Sequence, residues 1–82
     1  MKKKNQQYFL ATCGDQTYPI RCIRYRFRKK LVLQIEEQSF ELPWGAREEI
    51  FRLGDEQAIL IVEKNGKVAI RLRDGIVPEC QE

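Results

Sequence analysis

The fold of this chain is indicated above all by side chains that alternate between apolar and polar with a period of two, as in a half-exposed β-strand. Apolar residues alternate with arginines through residues 23–28, and a similar alternation resumes through residues 31–36. A hairpin with a loop at Arg28–Lys30 places six apolar side chains on one face: Ile23, Tyr25, Phe27, Leu31, Leu33 and Ile35. Because a shift of one residue would scatter these side chains over both faces, the pattern also predicts the register.

A second hairpin is predicted near the C-terminus, where Asn65-Gly66 suits a two-residue type I′ turn between two apolar segments. The resulting register pairs Ile61 with Ile70 and puts both side chains on the core face. The opposite face of this hairpin is also apolar near its middle, at Leu60, Val62 and Ala69. We therefore expect a helix, a second sheet layer or another subunit to cover it.

Residues 45–53 change from a period of two to helical spacing. Ala46, Ile50 and Leu53 fall at positions i, i+4 and i+7, and Gly54 follows where helix C-termini favour glycine. One short helix before the C-terminal hairpin is therefore predicted, and the strand-like segments number five to six. We predict a mainly β protein at the margin of the α+β class. Either a small barrel or a strongly bent antiparallel sheet is expected, since both arrangements hide strand edges.

The length of 82 residues suits a single domain that spans residues 1–82. Within it we predict a basic disordered tail at residues 1–5, a folded core at residues 6–74 and a C-terminal tail at residues 75–82. The longest apolar run, Ala58–Val62, is far shorter than the roughly 20 residues of a membrane-spanning helix, so no membrane partner is expected.

Enzymatic activity is not expected. The chain has no histidine and a single serine, Ser39, so the usual base for a serine or cysteine nucleophile is missing. Cys13, Cys22 and Cys80 are odd in number and widely spaced, which argues against a metal site and indicates a reducing, cytoplasmic compartment. We predict neither a metal nor a cofactor, and we interpret Cys13 and Cys22 as small apolar core residues.

Charge is divided unevenly along the chain. Residues 1–30 hold nine Lys or Arg residues and one Asp, a net charge of +8, whereas residues 31–82 carry a net charge of −5. Five basic residues of the first hairpin form the candidate site: Arg24, Arg26, Arg28, Lys29 and Lys30. The three arginines are predicted to share one outward strand face at intervals of roughly 6.5–7 Å, comparable to the phosphate spacing along one nucleic-acid strand.

These charges predict a small binding or regulatory domain that contacts the phosphate backbone of nucleic acid. Tyr25 and Phe27 are predicted to face the core, which would leave the basic face without its own aromatic platform for bases. The alternative partner is a protein. In that case the chain is an interaction or inhibitor module, monomeric or homodimeric, whose contact patch is formed by Leu60, Val62 and Ala69.

Overall fold

The computed structural model describes residues 5–80, which form two four-stranded antiparallel sheets. The strands of the first sheet are β1 (Gln6–Cys13), β2 (Gln16–Tyr25), β3 (Lys30–Ile35) and β4 (Gln38–Pro43). Those of the second are β5 (Arg47–Leu53), β6 (Glu56–Val62), β7 (Val68–Leu72) and β8 (Gly75–Ile76). In each sheet, strands that are consecutive in the chain are neighbours. Residues 1–4 of the predicted tail, and residues 81–82, lie outside the described residues. The mainly β prediction is confirmed.

The predicted helix at residues 45–53 is wrong, because this segment forms β5. It pairs with β6 from Arg47↔Val62 to Leu53↔Glu56 across a tight Gly54-Asp55 turn, and Gly54 has a φ of +62°. A helix of that length is marginal in isolation, whereas the strand gains a full ladder with β6. Gly54 therefore serves a hairpin turn, where a positive φ favours glycine just as it does at a helix end.

Neither the closed barrel nor the single bent sheet forms. The chain leaves the first sheet at Pro43, which has no amide hydrogen to continue a ladder, and it enters the second sheet at Arg47. Strands β4 and β5 are therefore consecutive in the chain but belong to different sheets. The eight strands form two layers instead of a barrel of five or six.

The inner faces of the two sheets form one hydrophobic core. Its buried side chains in the first sheet are Phe9, Ala11, Ile20, Cys22, Leu31, Leu33 and Ile35. Those of the second half of the chain are Leu53, Ala58, Leu60, Val62, Val68, Ile70 and Val77. Of the predicted core residues, Leu31, Leu33 and Ile35 of β3 and Ile70 of β7 are buried. Tyr25 and Phe27, in contrast, are 42% and 102% exposed, and Ile50 is 68% exposed.

The hairpin of β2 and β3 has a different register from the predicted one. Its loop is Arg26–Lys29, closed by the pair Tyr25↔Lys30, and Lys29 has a φ of 52°. The register differs from the prediction by three residues, and an odd shift turns β2 over relative to β3. Ile20 and Cys22 therefore face the core, whereas Ile23 and Tyr25 face outward.

The hairpin of β6 and β7 differs from its predicted register by one residue. Ile61 pairs with Ala69 instead of Ile70, because the loop has three residues, Lys64–Gly66. The Gly66 amide donates to the Glu63 carbonyl at 3.0 Å, and only Gly66 in this loop has a positive φ. The turn is thus a three-residue loop with glycine at its last position, not the type I′ pair. This shift turns β6 over and puts Leu60 and Val62 in the core.

One side chain and the end of the chain join the two sheets. The side chain of Gln7 in β1 is buried. Its Nε2 donates to the Val68 carbonyl at 3.0 Å and its Oε1 accepts from the Val68 amide at 2.9 Å, so it bonds Val68 as the backbone of a neighbouring strand would. The segment predicted as a C-terminal tail forms β8, buries Val77 and then reaches β1, where the Cys80 amide donates to the Tyr8 carbonyl at 2.7 Å. These contacts hold β1 beside the second sheet.

Candidate functional site

The loops at the two ends of the molecule carry opposite charge. At one end lie the loops 26–29, 44–46 and 63–67, which contain five basic residues, Arg26, Arg28, Lys29, Lys64 and Lys67, and one acidic residue, Glu63. At the other end lie the turns 14–15, 36–37, 54–55 and 73–74, which contain five acidic residues, Asp15, Glu36, Glu37, Asp55 and Asp74, and one basic residue, Arg73. We refer to these as the basic end and the acidic end.

Trp44 holds the loops of the basic end together. Its amide donates to the Lys29 carbonyl at 3.1 Å, and its indole Nε1 donates to the Lys30 carbonyl at 3.1 Å. The Lys29 Nζ lies 5.0 Å from the centre of the indole ring. The opposite loop approaches the same side chain so closely that a Cβ on Gly66 would lie 2.9 Å from the Trp44 ring. Two loops from different sheets are thus fixed side by side.

Arg24 lies between these loops but not on the outward face predicted for it. It is opposite Leu31 on the inner side of β2, half-buried, and its Cδ would be 3.2 Å from a Cβ on Gly66. Its Nε is buried and has no hydrogen-bond partner among residues 5–80. The outward stripe of three arginines is therefore not formed, because the register of the hairpin places Arg24 inside.

The other predicted basic residues lie on or beside the β2–β3 loop. Arg26, Arg28 and Lys29 are exposed in the loop itself. Lys30 begins β3 on the outer face of the first sheet, and its Nζ lies 3.2 Å from a Glu41 carboxylate oxygen. Four of the five predicted residues therefore stay close together, three in the loop and Lys30 beside it, but they form a tip at the basic end instead of a line along a strand.

Aromatic side chains accompany this tip, contrary to the prediction that they face the core. Phe27 is 102% exposed between Arg26 and Arg28. Tyr25 is 42% exposed on the outer face of the first sheet, where the Lys30 Nζ lies 5.5 Å from its ring centre. The basic end therefore combines cations with accessible aromatic rings.

Lys64, Lys67 and Trp44 are the members of the basic end that the sequence reasoning missed. They come from the other sheet and from the link between sheets, so only the layered packing brings them to the Arg26–Lys29 loop. A usable signal was the pair of lysines that flank Asn65-Gly66, since a hairpin turn exposes the residues beside it.

The environments of Cys13 and Cys22 do not activate their thiols. Cys22 is buried in the core, where burial raises the pKa of its thiol from 9.0 to about 11 although the nearby Arg24 acts to lower it. Burial and the neighbouring Glu56 carboxylate also raise the pKa of Cys13. Both groups are therefore neutral thiols near pH 7, whereas a nucleophilic cysteine requires a lowered pKa.

A groove lies at the acidic end of the molecule. It is open, has a volume of about 980 Å³ and is lined by residues that include Tyr18, Asp55, Arg71 and Asp74. In the described part of the chain, no group of three or more His, Cys, Asp or Glu side chains is arranged to hold a metal ion. The same residues include no helix long and apolar enough to span a membrane.

The alternative contact patch is divided between the core and the surface. Leu60 and Val62 are 1% and 2% exposed and belong to the core, so they do not form a patch with Ala69 on the outside. The outer face of the second sheet nevertheless carries five aliphatic residues, Ile50, Ile59, Ile61, Ala69 and Ile76, with Arg71 between Ile59 and Ile76. We call this set the aliphatic face.

Comparison of the chain with protein-family models, with curated proteins and with solved structures gives no match.

Proposed function

We propose that this protein is a non-enzymatic binding domain that contacts the phosphate backbone of nucleic acid through its basic end. The observation that carries the proposal is the convergence of two basic loops from different sheets on Trp44. A rigid cluster of cations attracts a polyanion at long range and releases its counterions on contact.

The identity of the loop residues also supports this function. Arg26, Arg28, Lys29, Lys64 and Lys67 are exposed, and no carboxylate of residues 5–80 lies within 4.0 Å of their charged atoms. They can therefore bind phosphates without breaking an ion pair to any residue in the described range. Because contacts to phosphate carry no base information, we expect binding to differ little between unrelated sequences.

The test compares two double variants that remove the same charge from opposite ends of the molecule. Arg26→Gln with Arg28→Gln alters the basic end, and Arg71→Gln with Arg73→Gln is the matched control, since all four side chains are exposed. Affinity for a labelled oligonucleotide is measured by fluorescence anisotropy as a function of salt. We expect the first variant to bind more weakly and its log–log salt slope to flatten by roughly 0.7–0.9 per lost contact.

The control variant should bind as the wild type does, and both variants should melt at the wild-type temperature because the side chains are exposed. Equal loss of affinity in the two variants would show that net charge alone drives binding. If the wild type does not bind DNA or RNA at low ionic strength, where the attraction is greatest, the proposal is wrong.

The aliphatic face supports a second candidate function, association with a second copy of this chain. Ile50 and Ile76 on it are 68% and 59% exposed. Glu48, Ile50 and Arg52 follow one another on the outer side of β5, so a two-fold axis at Ile50 would place Glu48 opposite Arg52 of the second copy. Sedimentation should then show a dimer that Ile50→Lys dissociates and that Thr17→Lys, exposed on the other sheet, does not. A wild-type monomer excludes this candidate.

A further inference from the structure

We infer that the outer face of the first sheet binds the bases of single-stranded nucleic acid, and that this surface continues the basic end. The inference rests on the proposed function and specifies its ligand: a single strand whose phosphates are held at the basic end and whose bases stack on tyrosines of the sheet.

The pairing of the β-strands places Tyr8 and Tyr25 on the same outer face of the first sheet, joined by a continuous row of outward side chains. Tyr25 faces outward beside Lys30, directly above the Arg26–Lys29 loop. The next outward pair toward the middle of the sheet is Ile23↔Val32, and the pair after it joins Arg21 to Tyr8 on β1. Successive outward positions along a strand are roughly 6.5–7 Å apart, which is close to the phosphate spacing of an extended strand.

Each tyrosine has a cation over its ring. The Lys30 Nζ lies 5.5 Å from the centre of the Tyr25 ring, and the Arg21 Cζ lies 6.0 Å from that of Tyr8. A base that stacks on this face of the ring takes the place of the cation, whose long side chain can then bind the adjoining phosphate. Between these two sites, Ile23 and Val32 provide a half-buried apolar surface for the next base.

The charged residues on the same face favour a path of the bound single strand toward β1. Glu41 of β4 lies on this face opposite Val32 and binds Lys30 at 3.2 Å. Its carboxylate repels phosphates from the β4 side, whereas Arg21 attracts them on the β1 side. The single-stranded nucleic acid therefore runs from Phe27 at the loop tip past Tyr25 and on to Tyr8.

A duplex cannot use this surface in the same way. Its bases are stacked on one another and cannot reach aromatic rings on a sheet, so it can occupy only the cations of the basic end. The tyrosines should therefore discriminate single strands from duplexes, while the basic loops should bind both.

The experiment compares Tyr8→Leu with Tyr25→Leu against the conservative control Tyr8→Phe with Tyr25→Phe. Affinity for a single strand and for a duplex of equal length is measured at one salt concentration. We expect the leucine variant to lose roughly tenfold or more in single-strand affinity, since base–aromatic stacking makes a contribution of that order per base. Its duplex affinity and its salt slope should remain those of the wild type, and the phenylalanine variant should bind both ligands normally.

An independent measurement uses the wild type and does not depend on how the variants fold. On addition of the single strand, the ring-proton resonances of Tyr8 and Tyr25 should shift upfield, and addition of the duplex should leave them unchanged. Unchanged single-strand affinity in the leucine variant, or equal loss for both ligands, overturns the inference while the basic end still binds. A wild type that binds neither ligand at low ionic strength overturns the proposed function as well.

Discussion

Trp44 shows how one side chain can fix the loops of two different sheets beside each other. Two hydrogen bonds fix the carbonyls of Lys29 and Lys30, and the indole ring packs against Gly66 in the opposite loop. The backbone of the Arg26–Lys29 loop is therefore fixed in the absence of a ligand. Such preorganisation lowers the entropy that binding would otherwise lose.

Gly66 should be difficult to replace, because its backbone conformation and its contact with Trp44 both favour glycine. Its φ is +87°, and an added Cβ would lie 2.9 Å from the Trp44 ring. Gly14, with a φ of +64°, has nothing within 4 Å of an added Cβ and is therefore the matched control. Gly14→Ala should destabilise by about 1–2 kcal/mol from the left-handed backbone alone. We expect Gly66→Ala to destabilise further in urea unfolding, and equal effects would contradict the packing of this loop on Trp44.

Cys22 should make stability fall at alkaline pH. Burial raises its pKa from 9.0 to about 11, so the folded protein holds this proton more tightly than the unfolded chain does. Its contribution is fully present below pH 9 and is lost as the pH rises toward 11. Because one pKa unit corresponds to about 1.4 kcal/mol, the loss should be about 2–3 kcal/mol. Urea unfolding should show a smaller decline between these pH values in Cys22→Ala, and identical profiles would contradict a buried neutral thiol.

The hairpins illustrate why strands were easier to predict than the faces they bury. Alternation correctly indicates that β3 and β7 are strands and that Leu31, Leu33, Ile35 and Ile70 are buried. In β6, every residue from Ala58 to Val62 is apolar, so alternation could not select a face. The choice depended on the loop, where one additional residue turns the strand over. The helix prediction failed for a related reason, since a short segment can match a helical period and still pair as a strand.

Two isoleucines of the hairpin of β6 and β7 distinguish the observed register from the predicted one. Ile70 is completely buried opposite Leu60, whereas Ile61 is half-buried on the outer side opposite Ala69. Ile70→Ala should therefore cost about 2–5 kcal/mol in chemical unfolding, the usual range for a buried isoleucine. Ile61→Ala should cost clearly less. Similar large losses at both positions would favour the predicted register, in which both side chains face the core.

The separation of charge between the two ends follows from the order of hairpins in the chain. Loops that follow β2, β4 and β6 lie at one end, and turns that follow β1, β3, β5 and β7 lie at the other. The loops of the basic end are rich in basic residues, and the turns of the acidic end are rich in acidic residues. A dipolar molecule of this kind orients its basic end toward a polyanion before contact, an effect that salt weakens.

The local part of the candidate site could be predicted and its assembly could not. Arg26, Arg28 and Lys29 are neighbours in the sequence, so any hairpin there exposes them together. Lys64 and Lys67 join them only because two sheets pack face to face around one core, which is a long-range property. The uneven charge of the two halves of the chain hinted at an anionic partner but not at the position of the contact.

The proposed contact can be tested most directly by mapping amide chemical shifts while a duplex oligonucleotide is added at low ionic strength. The largest shifts should fall at residues 26–30, at Trp44 and at residues 64–67, which are distant in the sequence and adjacent at the basic end. Resonances of the turns 14–15, 54–55 and 73–74 should remain in place. Shifts concentrated in those acidic turns, or no shifts anywhere, would contradict a nucleic-acid interface at the basic end.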